Sequence, residues 1–286
     1  MKKPAIVMQT DFTKDISVCT MQGVCMMIDP ELRIFDSTHE IQSFNTYQAS
    51  TSLGFVVDFW PEGTIFVSVV DPGVGTSRRA CVAKLKNGSY VVTPDNGSLT
   101  HLKKYFGITE VRIINEEYNR LPSTKKCSIF HGRDLFAYCA GKLAAGLITY
   151  EEVGEVYPVE EIVEHTMIPY SENENHICGM IESADFHFGL ICSNIPAEVF
   201  ENNGIQEGDM QKVIIRNIKE EKVYFEDMVP FQKSFGTVLE GKPLLMVSET
   251  LQIQIAINGR NMAEIYDIKV GTEWQIEIQK KARGVL

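Results

Sequence analysis

The first half of the chain alternates short apolar runs with stretches of helical spacing. PAIVMQ (4–9), IFVSVV (65–70) and YVVTP (90–94) are nearly continuous in apolar residues, as strands buried on both faces are. VCTMQGVCMMI (18–28), QASTSLGFVVDFW (48–60) and DLFAYCAGKLAAGL (134–147) have the length and periodicity of helices. RIFDS (33–37), VAKL (82–85) and VRII (111–114) supply further strands. This predicts an α/β domain with a mostly parallel sheet flanked by helices, over residues 1–168.

Beyond the polar stretch IPYSENENH (168–176) the pattern changes to period two, most clearly in LQIQIAI (251–257) and WQIEIQ (274–279). Together with HICGMIES, GLICSN, KVIIRN, KVYFED and PLLMVS it predicts an all-β, barrel-like domain over 175–286.

Composition narrows the partners. A net charge of −11 over 286 residues argues against nucleic acid or an anionic membrane surface. No apolar run reaches the ~20 residues of a membrane span, and no secretory signal precedes the first strand. The seven cysteines contain no CxxC pair. They read as reduced thiols of a cytoplasmic protein.

Ligands of open parallel sheets bind beyond the carboxyl ends of the strands. Four such ends are polar here: Asp11, Asp71, the turn Asp95-Asn96-Gly97, and His131-Gly132-Arg133-Asp134. Each alone has a structural reading as a cap, turn or ion pair; their coincidence in one domain points to a site. Arg79 is expected to face outward, with Arg133 and Asp134 fixing the loop and capping the helix. The histidines form no HxH or HxxxH pair, so no catalytic metal is expected. GxGxxG, GxxxxGK[ST] and GxSxG are all missing.

TDF (10–12), VVDPGVGTSRR (69–79), VTPDNG (92–97) and FHGRDLFA (130–137) follow one another as in a known family. The chain resembles the S-adenosyl-L-methionine (SAM) hydrolases, or SAM hydroxide adenosyltransferases, relatives of the SAM-dependent fluorinase and chlorinase. The resemblance implies an α/β domain followed by a β-barrel, and a homotrimer holding SAM between neighbouring subunits. The implied reaction is hydrolysis of SAM to adenosine and L-methionine, with no cofactor. Its catalytic Asp-Arg-His set falls on Asp71, Arg78 and His131.

The same resemblance places Asp11 at the ribose hydroxyls, Asp15 and Ser17 at the methionine ammonium, and Phe44 beside the nucleoside. In the second domain it places Asp185 at the ammonium, Phe188 at the adenine, Ser248 at the methionine carboxylate, and Asn261 and Met262 in an adenine-facing loop. The halogenases carry other residues at Asp71 and His131, and the fluorinase a serine at Gly132, so the pattern here points to water as nucleophile. Departures lie in the binding set: Thr13 for a usual Gly, Leu190 for a usual Asn, and Glu249 within the expected Ser-rich stretch. The alternatives are a nucleoside- or SAM-binding protein without turnover, and C5′ transfer to another nucleophile such as halide.

Overall fold

The computed structural model describes residues 3–13, 15–185 and 187–280. The chain divides after His165 into two compact units. The first runs β1 (Ala5–Thr10), α1 (Ile16–Ile28), β2 (Arg33–Thr38), α2 (Thr46–Val56), β3 (Ile65–Val69), β4 (Ala80–Leu85) and β5 (Tyr90–Pro94). After β6 (Ile108–Ile113) and α3 (Glu116–Asn119), a π-helical turn (Gly132–Ala137) leads into α4 (Tyr138–Ala145), and β7 (Val156–Tyr157) completes the sheet.

Its strands lie in the order β2-β1-β3-β5-β4-β6-β7. β2, β1, β3 and β5 are parallel, while β4 runs against both β5 and β6, and β7 against β6. The sheet is therefore mixed, and the parallel half carries the strand ends of interest. β4 is reversed because only the turn Lys86–Ser89 joins it to β5. Gly88 N–H donates to Leu85 C=O at 3.0 Å there, with Gly88 at φ +79°, and so short a link permits only an antiparallel pair. Alternate residues of β1 face opposite cores. Ile6 and Met8 pack with Met21 and Cys25 of α1 and with Ala140 of α4, and Val7 packs with Leu53 of α2.

The second unit is antiparallel. Its strands are β8 (Ser171–Glu172), β9 (His176–Asp185), β10 (Leu190–Pro196), β11 (Met210–Asn217), β12 (Lys222–Pro230), β13 (Pro243–Val247), β14 (Gln252–Ile257) and β15 (Gly271–Gln279), with short helices α5 (Glu198–Asn202) and α6 (Met262–Ile265). The order is β12-β11-β15-β9-β10-β14-β13, with β8 on β9. A bridge from Phe231 to Leu245 joins the chain just past β12 to β13, so the sheet is nearly closed as a barrel. Ile253, Ile255, Ile276 and Ile278, the inward positions of the two period-two runs, lie in its core.

Candidate active site

The chain leaves β1 for β2 on one side and then crosses to β3 on the other. That reversal is a topological switch point, where a crevice opens past the strand ends. Thr10 pairs with Val69 across the parallel register, so the segments carrying Asp11 and Asp71 leave neighbouring strands and both line one cavity. A cavity of about 240 Å³ opens there, lined by Asp11, Phe12, Phe44, Asp71, Phe130 and His131 among others.

The 71–79 loop folds back on itself. Asp71 C=O accepts from Val74 N–H at 3.3 Å and Gly73 C=O from Thr76 N–H at 3.1 Å. A Cβ at Gly73 would lie 3.2 Å from Arg78 Cγ, and Gly75, at φ +74°, sits where a Cβ would meet Ser128 O at 3.1 Å. Gly75 is thus required for the close turn, and Gly73 leaves room for the Arg78 side chain to pack against it. Arg78 Nε donates to Asp71 Oδ1 and Oδ2 at 2.9 and 3.0 Å, and Nη2 also bonds Oδ2. Nη2 is also 2.8 Å from His131 Nδ1, and the guanidinium carbon is 5.2 Å from the centre of the Phe136 ring. Asp71 and His131 are in the cavity wall, whereas Arg78 lies behind them and joins the two.

His131 immediately precedes the π-helical turn, a distortion frequent at functional sites. Gly132 lets that turn press on the strand end, since a Cβ there would lie 3.2 Å from Phe130, 3.3 Å from Val69 and 3.4 Å from Phe12. Burial, and after it the Arg78 guanidinium, hold the His131 imidazole below its ordinary range, so it is neutral near pH 7. Its second nitrogen, Nε2, is 3.3 Å from Arg120 Nη1. Arg120 in turn donates to Glu116 Oε2 at 2.6 Å and to the Cys127 carbonyl.

The Asp95-Asn96 turn supports the site from outside it. Asn96 Nδ2 donates to Val70 C=O at 2.9 Å, fixing the backbone just before Asp71. Asp95 is buried and accepts from Arg79 Nε (2.9 Å), Tyr157 Oη (3.0 Å) and Val163 N–H (2.8 Å). Arg79 therefore does not simply face outward: it is half-buried, bound to Asp95 and Glu161, with its guanidinium 4.2 Å from the Tyr157 ring centre. A buried carboxylate beside it outcompetes water for the guanidinium. Arg133 Nε meets buried Asp134 Oδ1 at 2.6 Å and stacks on Phe130, holding the loop.

Among the expected binding residues, Asp11 accepts from Phe44 N–H at 2.8 Å. Phe44, at φ +67°, is 72% exposed and lines the cavity, so it is not a core aromatic. Asp15 and Ser17 stand apart from the lining residues. Asp15 caps α1, accepting Ser17 N–H at 2.7 Å and its hydroxyl.

In the second unit, Asp185 Oδ1 accepts the N–H groups of His187 and Phe188 at 2.9 and 3.0 Å, which leaves Phe188 67% exposed at the hairpin tip. Gly189 (φ +77°) brings that hairpin onto the 261–262 loop, since a Cβ there would overlap Asn261 Cα at 2.3 Å. Asn261 caps α6 through Glu264 N–H, and the Met262 side chain is fully buried in the barrel core. Ser248 contacts Thr250 Oγ1 at 2.9 Å and the Gln252 N–H at 3.1 Å. Leu190 packs beside Leu244 and Met246, an apolar role. Among the described residues no cluster of three or more His, Cys, Asp or Glu could hold a metal, and no helix is long and apolar enough to cross a membrane.

The SAM hydroxide adenosyltransferase N-terminal domain matches residues 6–154 and the C-terminal domain of the same family residues 179–275. The chain belongs to this family. Among its relatives, the chain is 29% identical over 250 residues to an (R)-S-adenosyl-L-methionine hydrolase of Methanocaldococcus jannaschii, covering 85% of this chain and 88% of that protein. It is 25% identical over 294 residues to a fluorinase of Actinopolyspora mzabensis, covering 94% and 95%. A crystal structure of an uncharacterized conserved protein from Thermotoga maritima superposes with a TM-score of 0.83 at 33% identity, over 96% of this chain and 99% of that one.

Arg120 carries no signal in the sequence: it is a single arginine before Leu-Pro, with nothing in its spacing to set it apart, and its role comes from its contact with His131. Asn96 is legible as part of a polar strand end, but its tie to the Val70 carbonyl is not.

Proposed function

We propose that the protein hydrolyses SAM to adenosine and L-methionine by in-line attack of water on the ribose C5′. The observation that supports it most is the pairing of Asp71 and a neutral His131 in one wall of the cavity, both locked by Arg78. The substrate is a sulfonium. Aromatic faces attract such a cation, and the cavity offers Phe12, Phe44 and Phe130. Asp11 carries acceptor oxygens suited to the ribose hydroxyls.

In the reaction the water oxygen forms a bond to C5′ as the C5′–S bond breaks. The sulfur leaves with the electron pair as a neutral thioether, so no general acid is needed. The oxygen then bears an extra proton and is strongly acidic. It sheds that proton without a strong base, and each turnover releases one proton overall. The contribution of the protein is to aim the water and exclude competitors. Asp71 can accept a hydrogen bond from the water, held in place by Arg78. A carboxylate in the wall also repels anions, which favours neutral water over halide.

Assembly is part of the proposal. The resemblance implies a homotrimer in which a second copy brings the Asp185, Phe188, Ser248 and Asn261 group to this cavity. Light scattering that shows a monomer would leave the site incomplete.

The test is incubation with SAM in H₂¹⁸O. Adenosine and methionine in equal amounts, with ¹⁸O in the adenosine 5′-hydroxyl, are expected. SAM that binds and stays intact would indicate a binding protein, and 5′-chloroadenosine formed in chloride would indicate halide transfer.

A further inference from the structure

His131 lies between two guanidinium groups. Arg78 Nη2 is 2.8 Å from Nδ1 and Arg120 Nη1 is 3.3 Å from Nε2. A guanidinium only donates, and a neutral imidazole has a single lone pair to accept with. The shorter contact assigns that lone pair to Nδ1, facing Arg78. Nε2 then carries the ring proton and faces Arg120 Nη1 donor against donor, so the one lone pair that could take up a further proton is already occupied by Arg78.

The second cation is an expensive one to keep. The Arg120 side chain is only 7% exposed, and its Nε has no hydrogen-bond partner. Glu116, its one carboxylate partner among the described residues, is about half exposed. A buried, partly compensated charge is unfavourable, and a loop tether to the Cys127 carbonyl could be made by a neutral donor. Burial does most to keep the imidazole neutral; among the charged groups around it, Arg78 from the 71–79 loop and Arg120, the residue after α3, disfavour its protonation, while Glu116 of α3 and Asp71 of the 71–79 loop favour it.

We propose that Arg120 is a positioning residue that, with Arg78, bars His131 from taking up a proton, so that His131 orients Arg78 and does not act as the base. The proposal rests on the hydrolase reading for its kinetic part alone. Protonated His131 would place an imidazolium between two guanidinium groups. The proton released in each turnover therefore passes to solvent by another route.

The experiment follows the ¹³Cε1 resonance of His131 through a pH titration of the full chain, in wild type, Arg120→Gln and Arg120→Lys, alongside kcat and KM against pH and the thermal unfolding of each. In wild type, the His131 midpoint is expected below pH 6.5, with no step in kcat at that midpoint. In Arg120→Gln the midpoint should move up, an acidic limb should appear in kcat, and kcat should fall about 10- to 100-fold, as displaced catalytic geometry costs, with KM little changed. Arg120→Lys should keep the midpoint low and recover part of kcat.

A wild-type His131 that protonates near pH 6.5, or an Arg120→Gln midpoint that does not move, would overturn the proposal. The first reading stands even where Arg120→Gln does not fold. If wild type leaves SAM intact, the hydrolase reading fails while the titration still decides the coupling of Arg120 to His131.

Discussion

Arg78 grips Asp71 through both carboxylate oxygens, Nε lying 2.9 Å from Oδ1 and 3.0 Å from Oδ2, with Nη2 adding a further contact to Oδ2. Both side chains are nearly buried, at 10% and 6% exposure. Removing one partner leaves an uncompensated charge behind the cavity wall. Asp71→Asn keeps the shape but loses the charge, so Arg78 is freed from its fixed position against His131. Adenosine release should fall about 10²- to 10³-fold in kcat, the usual cost of removing one preorganised electrostatic contact. Chromatographic assay checks this, and an unchanged kcat would remove Asp71 from the mechanism.

Gly132 packs where a Cβ would come within 3.2–3.4 Å of Phe130, Val69 and Phe12. Gly132→Ser must push at least one of these into the cavity they share. KM for SAM should rise, and unfolding free energy should drop by about 1–3 kcal/mol, as overpacking does. Calorimetry and steady-state kinetics read the two effects separately.

Phe44 is exposed at the cavity edge and held at positive φ, with its N–H on Asp11. Phe44→Ala removes an aromatic face that a bound sulfonium nucleoside would cover. The free protein should lose little stability, because the side chain contributes no core packing. KM should increase about tenfold, in line with one stacking contact of about 1 kcal/mol or more. An unaltered KM would take Phe44 out of the binding surface.

Asn96 holds the Val70 carbonyl one residue before Asp71. Val70 is fully buried, so Asn96→Ala orphans that acceptor at a cost of about 1–3 kcal/mol. The expected result is a lower melting temperature together with reduced kcat, because the Asp71 backbone loses its tether. Asn96→Asp should not rescue, since a carboxylate cannot donate.

Acid should destabilise the first unit through its buried imidazoles. Burial, then the Lys104 ammonium and His165, push His101 down to about 4 from an ordinary 6.5. Between those values the unfolded chain binds more protons than the folded one, so stability is lost as pH falls from 6.5 toward 4 and is level above 6.5. His131 and His165 are lowered too, chiefly by burial, and act in the same direction. The His101 share is on the order of 3 kcal/mol at most. Urea unfolding across this range should show a shallower pH slope in His101→Gln than in wild type; equal slopes would count against it.

Local periodicity marked the longer strands, the longer helices and a change of pattern along the chain, but not the short elements β7, β8, α3, α5 and α6. Burial on two faces or one imposes continuous or alternating apolar runs that need no partner to be read. The motifs also marked Asp11, Asp71 and His131 as strand-end residues, because polar groups after buried strands stand out in any sequence. Tertiary structure decided how these groups meet. β1 and β3 are neighbours only through a crossover, and that pairing brings Asp11 and Asp71 into one cavity. It also placed Arg78 behind the wall instead of in it, turned Arg79 inward to Asp95, and set Arg120 against His131. Contacts between residues far apart along the chain leave no period or spacing behind. Their energies depend on burial and distance, which exist only once the chain has folded.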